Sequence, residues 1–284
     1  QSTMRMTRHI DTIQRRGDIL DTSHAPLAVS IPAYTVWCNP KTLNLDNQEL
    51  LKIMNALDLN AKKTIEKIKK NKKRNKHFMY LKRVVSPIKV NAYLNKMIPG
   101  LHFRHTYKRY YPQSDVSAQL LGITNIDGHG IEGIEWLYNK HLSGTPGLLL
   151  KQMNGRKETI NRFIIKQGKQ PKPIVLTINS QLQYIAYRAL KDGVADAHAE
   201  SGSVVIASPK GALLAIVNVP SIDPNILTGE KKQISLLKNR AVTDLFEPGS
   251  TIKPISLTNI LDSKHYTLAD TVNVRGGKIR IQRH

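Results

Sequence analysis

The chain has 284 residues, 40% of them hydrophobic, and a formal net charge of +22. This length is sufficient for two domains with their own cores, and the hydrophobic fraction lies well above that of disordered chains. No apolar run approaches the roughly 18 residues of a membrane-spanning helix. The one cysteine, Cys38, excludes an internal disulfide and a cysteine-based zinc site. The ten histidines lack metalloenzyme spacing, so we expect neither a metal nor a cofactor.

The positive charge is densest at residues 61–76, where nine Lys and Arg residues accompany a single acid, Glu66. Basic surfaces can bind nucleic acid, anionic lipid or another anionic polymer. Ile65 and Ile68 give this run a partial apolar stripe, which predicts an amphipathic helix with a solvated face. Nucleic-acid modules usually interleave aromatic residues for base stacking, and none occurs here before Phe78. The pattern favours a lysine-rich surface, and we expect no nucleic-acid partner.

The first part of the chain is predicted to mix short strands and helices. The predicted strands are 18–21 and 27–31 around a turn, 34–37, 77–85, 101–111 and parts of 148–172. The predicted helices are 45–70, 86–97, 115–121 and 131–142. A glycine-rich loop at 125–130 lacks the phosphate-loop pattern.

A second domain is predicted to begin near Pro171-Lys172-Pro173, where the composition changes. The predicted elements that follow are a strand at 174–178, a helix capped at Asn179 or Ser180 and ended by Gly193, and a hairpin of strands 203–208 and 212–219. Together these elements indicate an α+β fold with domains at 1–170 and 171–284.

A candidate catalytic motif lies at 247–254, where Lys253 follows Ser250 by three residues at the predicted start of a helix. This spacing places both side chains on one helical face about one turn apart, which suits a nucleophile and its base. Ser-x-x-Lys occurs in enzymes that form acyl-serine intermediates. Pro248-Gly249 predicts a tight entry into the helix, and the apolar residues within 252–261 predict that the helix is buried and central.

Two further Ser-x-x-Lys matches show that the bare pattern also arises by chance. Ser86 precedes Pro87 and is predicted to be the N-cap of a helix. Ser235 lies in a Leu-rich stretch that is predicted to be a surface helix. Ser250 and Lys253 are therefore the preferred candidates.

Longer motifs occur along most of the chain. They are RGDILD at 16–21, LAVS at 27–30, RYYP at 109–112, LGITN at 121–125, GIEGIE at 130–135, LSGTPG at 142–147, AESGS at 199–203 and the segment 239–254. These motifs resemble the class B penicillin-binding proteins, and specifically the division-specific (septal) peptidoglycan D,D-transpeptidase. Glu247-Pro248-Gly249 favours the division branch of that family over the elongation branch.

The resemblance implies an elongated, non-catalytic pedestal domain of the dimerisation type at 1–170. It implies the first, incomplete part of a serine β-lactamase-like transpeptidase domain at 171–284. The implied activity is peptidoglycan cross-linking at the division septum by serine acyl transfer on D-Ala-D-Ala stem peptides. Ser250 would be the acyl nucleophile and the residue that β-lactams acylate. Lys253 would be the general base, and the backbone N–H of Ser250 would form half of an oxyanion hole.

The resemblance also implies partners and a location. The expected substrates are peptidoglycan stem peptides and lipid-linked precursor strands. The expected protein partners are divisome membrane proteins, including a septal glycosyltransferase. The expected location is the periplasmic face of the bacterial inner membrane, with a single N-terminal anchor that is absent from this chain.

The sequence departs from the family pattern in several places. Thr22 and His24 stand where the family usually has Arg and Gly, which affects the first turn of the pedestal. The family's Ser-x-Asn and Lys-Thr-Gly active-site motifs do not occur, and Thr271-Val272-Asn273 is interpreted as ordinary strand sequence. We therefore expect a chain that is cut at both ends and carries the nucleophile without a complete site. The alternative is a non-catalytic divisome scaffold or a decayed fragment that retains the pedestal.

Overall fold

The computed structural model describes residues 7–11, 14–153, 159–227 and 231–277. The strands are β1 (Thr7–Asp11), β2 (Ile19–Leu20), β3 (Pro26–Cys38), β4 (Met79–Val85), β5 (Leu101–Tyr110), β6 (Leu148–Met153), β7 (Thr159–Lys166), β8 (Ile174–Val175), β9 (Gly202–Ala207) and β10 (Leu213–Val219). The helices are α1 (Gln48–Ala56), α2 (Ala61–Lys73), α3 (Pro87–Val90), α4 (Ala118–Leu121), α5 (Gly133–Leu137), α6 (Asn139–Ser143), α7 (Ser180–Asp196), α8 (Lys231–Ser235), α9 (Arg240–Thr243) and α10 (Lys253–Asp262). This mixture of helices and strands is the expected α+β content.

Two compact units divide the chain, one ending at Thr243 and the other beginning at Asp244. The first unit contains the elements of residues 1–170, which are predicted to form the pedestal, together with α7 and the β9–β10 hairpin. The domain boundary at 170/171 stays a prediction. Within the described residues, no helix is long and apolar enough to cross a membrane.

The central element of the first unit is the 13-residue strand β3. It pairs antiparallel with β5 from Val29↔Tyr110 to Cys38↔Leu101, and with β4 along its second half. The two strands predicted at 27–31 and 34–37 are therefore one strand. Pro32 lies inside it opposite Tyr107, because an extended backbone accommodates the fixed φ of proline although it removes one N–H donor.

A helical layer packs on one face of this sheet. Leu50, Ile53 and Met54 of α1 and Ile68 of α2 are fully buried against sheet residues such as Val36. The single helix predicted at 45–70 is two helices. Asp58 takes a left-handed φ of 53°, and the side chain of Asn60 then accepts a hydrogen bond from the Lys63 N–H at 3.0 Å, which starts the second helix.

Two other predicted helices are shorter than expected. The helix at 86–97 is α3 followed by a 3-10 turn at Asn91–Tyr93, and the Ser86 side chain makes no capping hydrogen bond. The helix at 131–142 is divided into α5 and α6 at Tyr138. Asn139, at the start of α6, instead accepts hydrogen bonds from the Gly130 N–H and the Arg16 guanidinium, both at 2.9 Å.

The predicted hairpin is confirmed as β9 and β10, and it packs against α7. The buried Gln183 side chain accepts from the Ile216 N–H at 2.8 Å and donates to the Ile216 carbonyl at 2.7 Å. The helix does not end at Gly193 as predicted. It continues to Asp196, and His198 then takes a left-handed φ of 50°. Strand β8 is shorter than predicted, with two residues.

A third sheet has the strand order β1-β6-β7. Strands β6 and β7 confirm the strand-like pattern predicted within 148–172, and β1 was not predicted. All three strands pair antiparallel, with Asp11↔Leu148 at one end of the β1–β6 ladder.

The second unit contains a 3-10 turn at Gly249–Ile252 and then α10. None of the side chains of α10 is buried, so the prediction of a buried central helix is wrong for the structure described. Among the described residues of this unit, a short segment lies against the helix, with Tyr266, Leu268 and Val272 bordering a groove beside Leu257 and Ile260. Its apolar side chains consequently remain exposed.

Candidate active site

The backbone before Ser250 makes the tight entry that the sequence predicts. Pro248 is in the right-handed helical region, and Gly249 takes a left-handed φ of 54°. Glycine adopts this conformation without the steric penalty that a Cβ atom would bring. The Thr251 N–H then donates to the Pro248 carbonyl at 3.1 Å and closes the turn.

Ser250 lies in the 3-10 turn at Gly249–Ile252, which leads directly into α10 at Lys253. The Lys253 N–H donates to the Ser250 carbonyl, and Lys253 begins α10. A separation of three residues places two side chains on the same side of a helix. Both side chains are exposed, and among the side-chain hydrogen bonds of the described residues none joins the Ser250 hydroxyl to the Lys253 ammonium. The turn therefore brings the two groups into proximity, and the contact between them is not formed.

The other Ser-x-x-Lys matches have different settings. Ser86 precedes α3, and the Lys89 ammonium forms an ion pair with Asp58 and is not directed at a serine. Ser235 is the last residue of α8, so the predicted surface helix is confirmed and Lys238 lies beyond its end. Neither match begins a helix of more than five residues.

A buried ionic cluster lies in the first unit. Its residues belong to separate sequence motifs, and the sequence did not predict that they are in contact. The Glu135 carboxylate is fully buried. It accepts hydrogen bonds from the Nε–H of Arg16 and the Nε–H of Arg109, each at 2.6 Å, and forms an ion pair with both guanidinium groups. Arg16 also donates to the Glu135 carbonyl at 2.7 Å. A buried carboxylate is tolerated when guanidinium groups compensate its lost hydration. This cluster joins the segment before β2 to β5 and α5, which are distant in sequence.

A second buried carboxylate, Asp21, joins the first turn of the pedestal to α7. It accepts hydrogen bonds from the Ser23 N–H and Ala25 N–H, each at 2.8 Å, and from the Ser180 hydroxyl at 2.5 Å. Burial of this carboxyl opposes ionisation, but the hydrogen bonds from Ser180 and Ser23 outweigh that effect and hold its pKa well below the usual range. The turn forms with His24, at a left-handed φ of 65°.

Among the described residues, no group of three or more His, Cys, Asp and Glu side chains is placed to hold a metal ion. Cys38 is buried in the core between β3 and the helical layer. Burial raises the pKa of its thiol to about 11, so the thiol is protonated and unreactive at neutral pH.

Sequence comparisons identify two protein families along the chain. Residues 12–176 match the penicillin-binding protein dimerisation domain, and residues 202–284 match the penicillin-binding protein transpeptidase domain. A probable peptidoglycan D,D-transpeptidase of Pseudomonas aeruginosa, PbpC, is 37% identical over 100% of this chain and 50% of its own length. The peptidoglycan D,D-transpeptidase FtsI of Escherichia coli K12 is 36% identical over 92% of this chain and 45% of its own length. The chain thus spans about half the length of the curated relatives it matches.

Two solved structures share the fold. Penicillin-binding protein PBP2 of Helicobacter pylori, solved in complex with MreC, superposes with a TM-score of 0.71 at 19% identity, over 94% of this chain and 55% of that chain. A peptidoglycan synthetase from Bifidobacterium adolescentis superposes with a TM-score of 0.63 at 21% identity, over 93% of this chain and 52% of that chain. At these identities the superpositions establish the architecture of the chain.

Proposed function

The chain belongs to the penicillin-binding proteins, with a dimerisation domain followed by transpeptidase-domain sequence, and we propose that Ser250 is the acyl nucleophile of a peptidoglycan D,D-transpeptidase. The observation that carries this proposal is the turn at 249–253, which holds a serine and a lysine three residues apart inside the region that matches the transpeptidase domain. The other two Ser-x-x-Lys matches lie outside the matched region or outside such a turn.

The proposed reaction begins when the Ser250 hydroxyl attacks the carbonyl carbon of the penultimate D-Ala of a stem peptide. Lys253, as the neutral amine, accepts the hydroxyl proton, and this requires a bound substrate to desolvate the ammonium. The backbone N–H of Ser250 donates to the oxygen that gains negative charge. The tetrahedral intermediate then expels the terminal D-Ala as its amine, which takes up the proton, and an ester to Ser250 remains.

The second half of the reaction forms the cross-link. An amine of a second stem peptide attacks the ester carbonyl and loses a proton, an amide bond forms, and the Ser250 oxygen leaves and regains its proton. A β-lactam ring opens by the same attack and leaves an acylated serine. We propose that Ser250 is this β-lactam target.

Cell division is the proposed setting for this activity. The relatives named FtsI and the Glu247-Pro248-Gly249 segment support a septal role. We further propose stem peptides and lipid-linked precursor strands as substrates, and divisome membrane proteins including a septal glycosyltransferase as partners. The corresponding location is the periplasmic face of the inner membrane.

A fluorescent penicillin tests the assignment of the nucleophile. The full-length gene product is incubated with the probe, denatured and examined by gel fluorescence and peptide mass spectrometry. We expect a stable acyl adduct on the peptide that contains Ser250, loss of the adduct in Ser250→Ala, and retention of it in Ser86→Ala. The last variant is a matched control, because it removes the serine of another Ser-x-x-Lys sequence. A folded full-length protein without label would leave the scaffold function as the better explanation.

A further inference from the structure

The proposed function does not involve the most densely charged surface of the chain. This surface is the lysine-rich segment, defined as the seven lysines of α2 with Arg74 and Lys76. Thr64 and Ile68 of α2 are buried against the core of the helical layer. All the lysines of α2 are exposed, and most lie away from this buried side. The charges therefore face solvent along a helix of 13 residues, which is about 20 Å long.

The structure shows no counter-charge bound to these side chains among the described residues. Among the ion pairs of the described residues, none involves a Lys or Arg of the lysine-rich segment. The nearby acids Glu49 and Asp58 are each bound by two lysines that lie outside α2. Like charges four residues apart, such as Lys63 and Lys67, destabilise a helix. An external anionic surface would relieve this repulsion.

The segment between β4 and β5 also exposes large apolar side chains. Ile88 in α3 is 89% exposed, and Met97, in the loop before β5, is 100% exposed, whereas Val90 and Ile98 beside them are buried. Nucleic acid offers few apolar contacts to such side chains on its backbone, but the boundary between lipid headgroups and acyl chains accommodates them. Clustered lysines with exposed apolar residues are the combination that binds anionic bilayers.

We propose that the helical layer of α1, α2 and α3 docks onto an anionic phospholipid surface, with the lysine-rich segment facing the headgroups. Lysines near such a surface each contribute about a fivefold gain in partitioning. Docking of this kind would fix the orientation of the pedestal at a membrane. It requires neither Ser250 nor Lys253, so acylation by penicillin and lipid binding can fail independently.

Vesicle co-sedimentation of the purified full chain tests the proposal. Vesicles with about 30 mol% phosphatidylglycerol are compared with pure phosphatidylcholine, in salt from about 50 to about 500 mM. We expect binding only to the anionic vesicles and a steep loss of binding with salt. Binding that is equal on both vesicle types, or that does not respond to salt, would overturn the proposal.

Two variants with the same change in net charge separate this surface from overall charge. The first replaces Lys63, Lys67, Lys70 and Lys73 by Gln, which preserves helix propensity. The control replaces Lys140, Lys169, Lys172 and Lys210 by Gln, all of which are exposed and lie outside α2. We expect the first variant to lose more than about tenfold in partitioning, and the control to change by less than about twofold. An equal loss in both variants would contradict a specific docking surface.

The lipid partner is tested separately from other polyanions. The double substitution of Ile88→Ser and Met97→Ser is expected to weaken vesicle binding several-fold without changing its salt dependence, because it removes apolar contacts only. Single-stranded DNA on beads is expected to retain less protein than the anionic vesicles at equal salt. Unchanged vesicle binding by the double variant, or stronger retention by DNA, would show that the surface does not recognise a bilayer.

Discussion

The carboxylate of Asp21 accepts hydrogen bonds from both the N–H and the hydroxyl of Ser180, at 3.1 and 2.5 Å. Asp21 belongs to the first turn of the pedestal, and Ser180 is the first residue of α7, 159 positions later. An ionised carboxylate at the N-terminus of a helix also interacts favourably with the helix dipole. This contact fixes α7, and with it the β9–β10 hairpin, to the pedestal.

Replacing Asp21 by Asn should destabilise the first unit by about 2 kcal/mol, because hydrogen bonds to a charged acceptor become weaker neutral ones. The folded-state pKa of Asp21 is lowered, so its contribution is present above the unfolded pKa of about 4 and is lost as the pH falls below it. Urea unfolding from about pH 7 down to about pH 3 should show the wild type losing its advantage over the variant. A constant difference across this range would contradict the assignment.

The Glu135 carboxylate is expected to be the most sensitive ionic group of the pedestal. Glu135→Gln leaves the buried guanidinium groups of Arg16 and Arg109 without their counter-charge, so we expect a loss of about 3–5 kcal/mol in the free energy of unfolding. Glu132→Gln, three residues earlier on an exposed side chain, is the control and should change it by less than about 0.5 kcal/mol. The measurement is the denaturant midpoint of unfolding of each variant. Similar midpoints for the two variants would argue against a central role for the cluster.

Gly122 and Gly128 both have a left-handed φ, 71° and 84°, but only Gly122 has no room for a side chain. A Cβ atom at position 122 would lie 2.0 Å from the Glu132 carbonyl oxygen, whereas at position 128 it would meet nothing within 4 Å. We expect Gly128→Ala to lower the free energy of unfolding by about 1 kcal/mol. Gly122→Ala should lower it by about 3 kcal/mol or more, because the backbone must shift. Thermal unfolding measures both, and equal losses would contradict the steric explanation.

Cys38 should react with a thiol reagent only when the first unit opens. Its thiol is inaccessible and has a pKa raised to about 11, so the thiolate is scarce up to about pH 9. We expect Ellman's reagent to modify the native protein at a rate that follows unfolding, and to modify the urea-unfolded protein rapidly. A fast native reaction that accelerates between about pH 7 and about pH 9 would show an accessible thiol of ordinary pKa.

Local sequence patterns predicted several elements correctly. The β-branched and aromatic residues within 77–85 predicted β4, and the segment rich in His, Arg and Tyr at 101–111 predicted β5. Pro209-Lys210-Gly211 predicted the β9–β10 turn. The Pro-Gly pair before Ser250 predicted the tight entry that the left-handed Gly249 makes. These features depend on residues adjacent in sequence, where backbone conformation and side-chain spacing decide the structure.

Other features depended on residues that are far apart in the chain. Asn139 divides a predicted helix because its side chain binds Arg16. Pro32 does not divide β3 because β5 pairs with β3 continuously from Val29 to Cys38. The sequence alone does not distinguish Glu135 from an exposed surface carboxylate. Its role is visible only in the structure, where Arg16 and Arg109 form ion pairs with it. The apolar stripe of α10 predicts burial, but exposure depends on which elements pack against the helix. The sequence alone therefore determined the family, the candidate nucleophile and the local turns. Only the tertiary structure decided which charges are buried and which are paired, and that the lysines of α2 form no ion pair among the described residues, because these features depend on long-range packing.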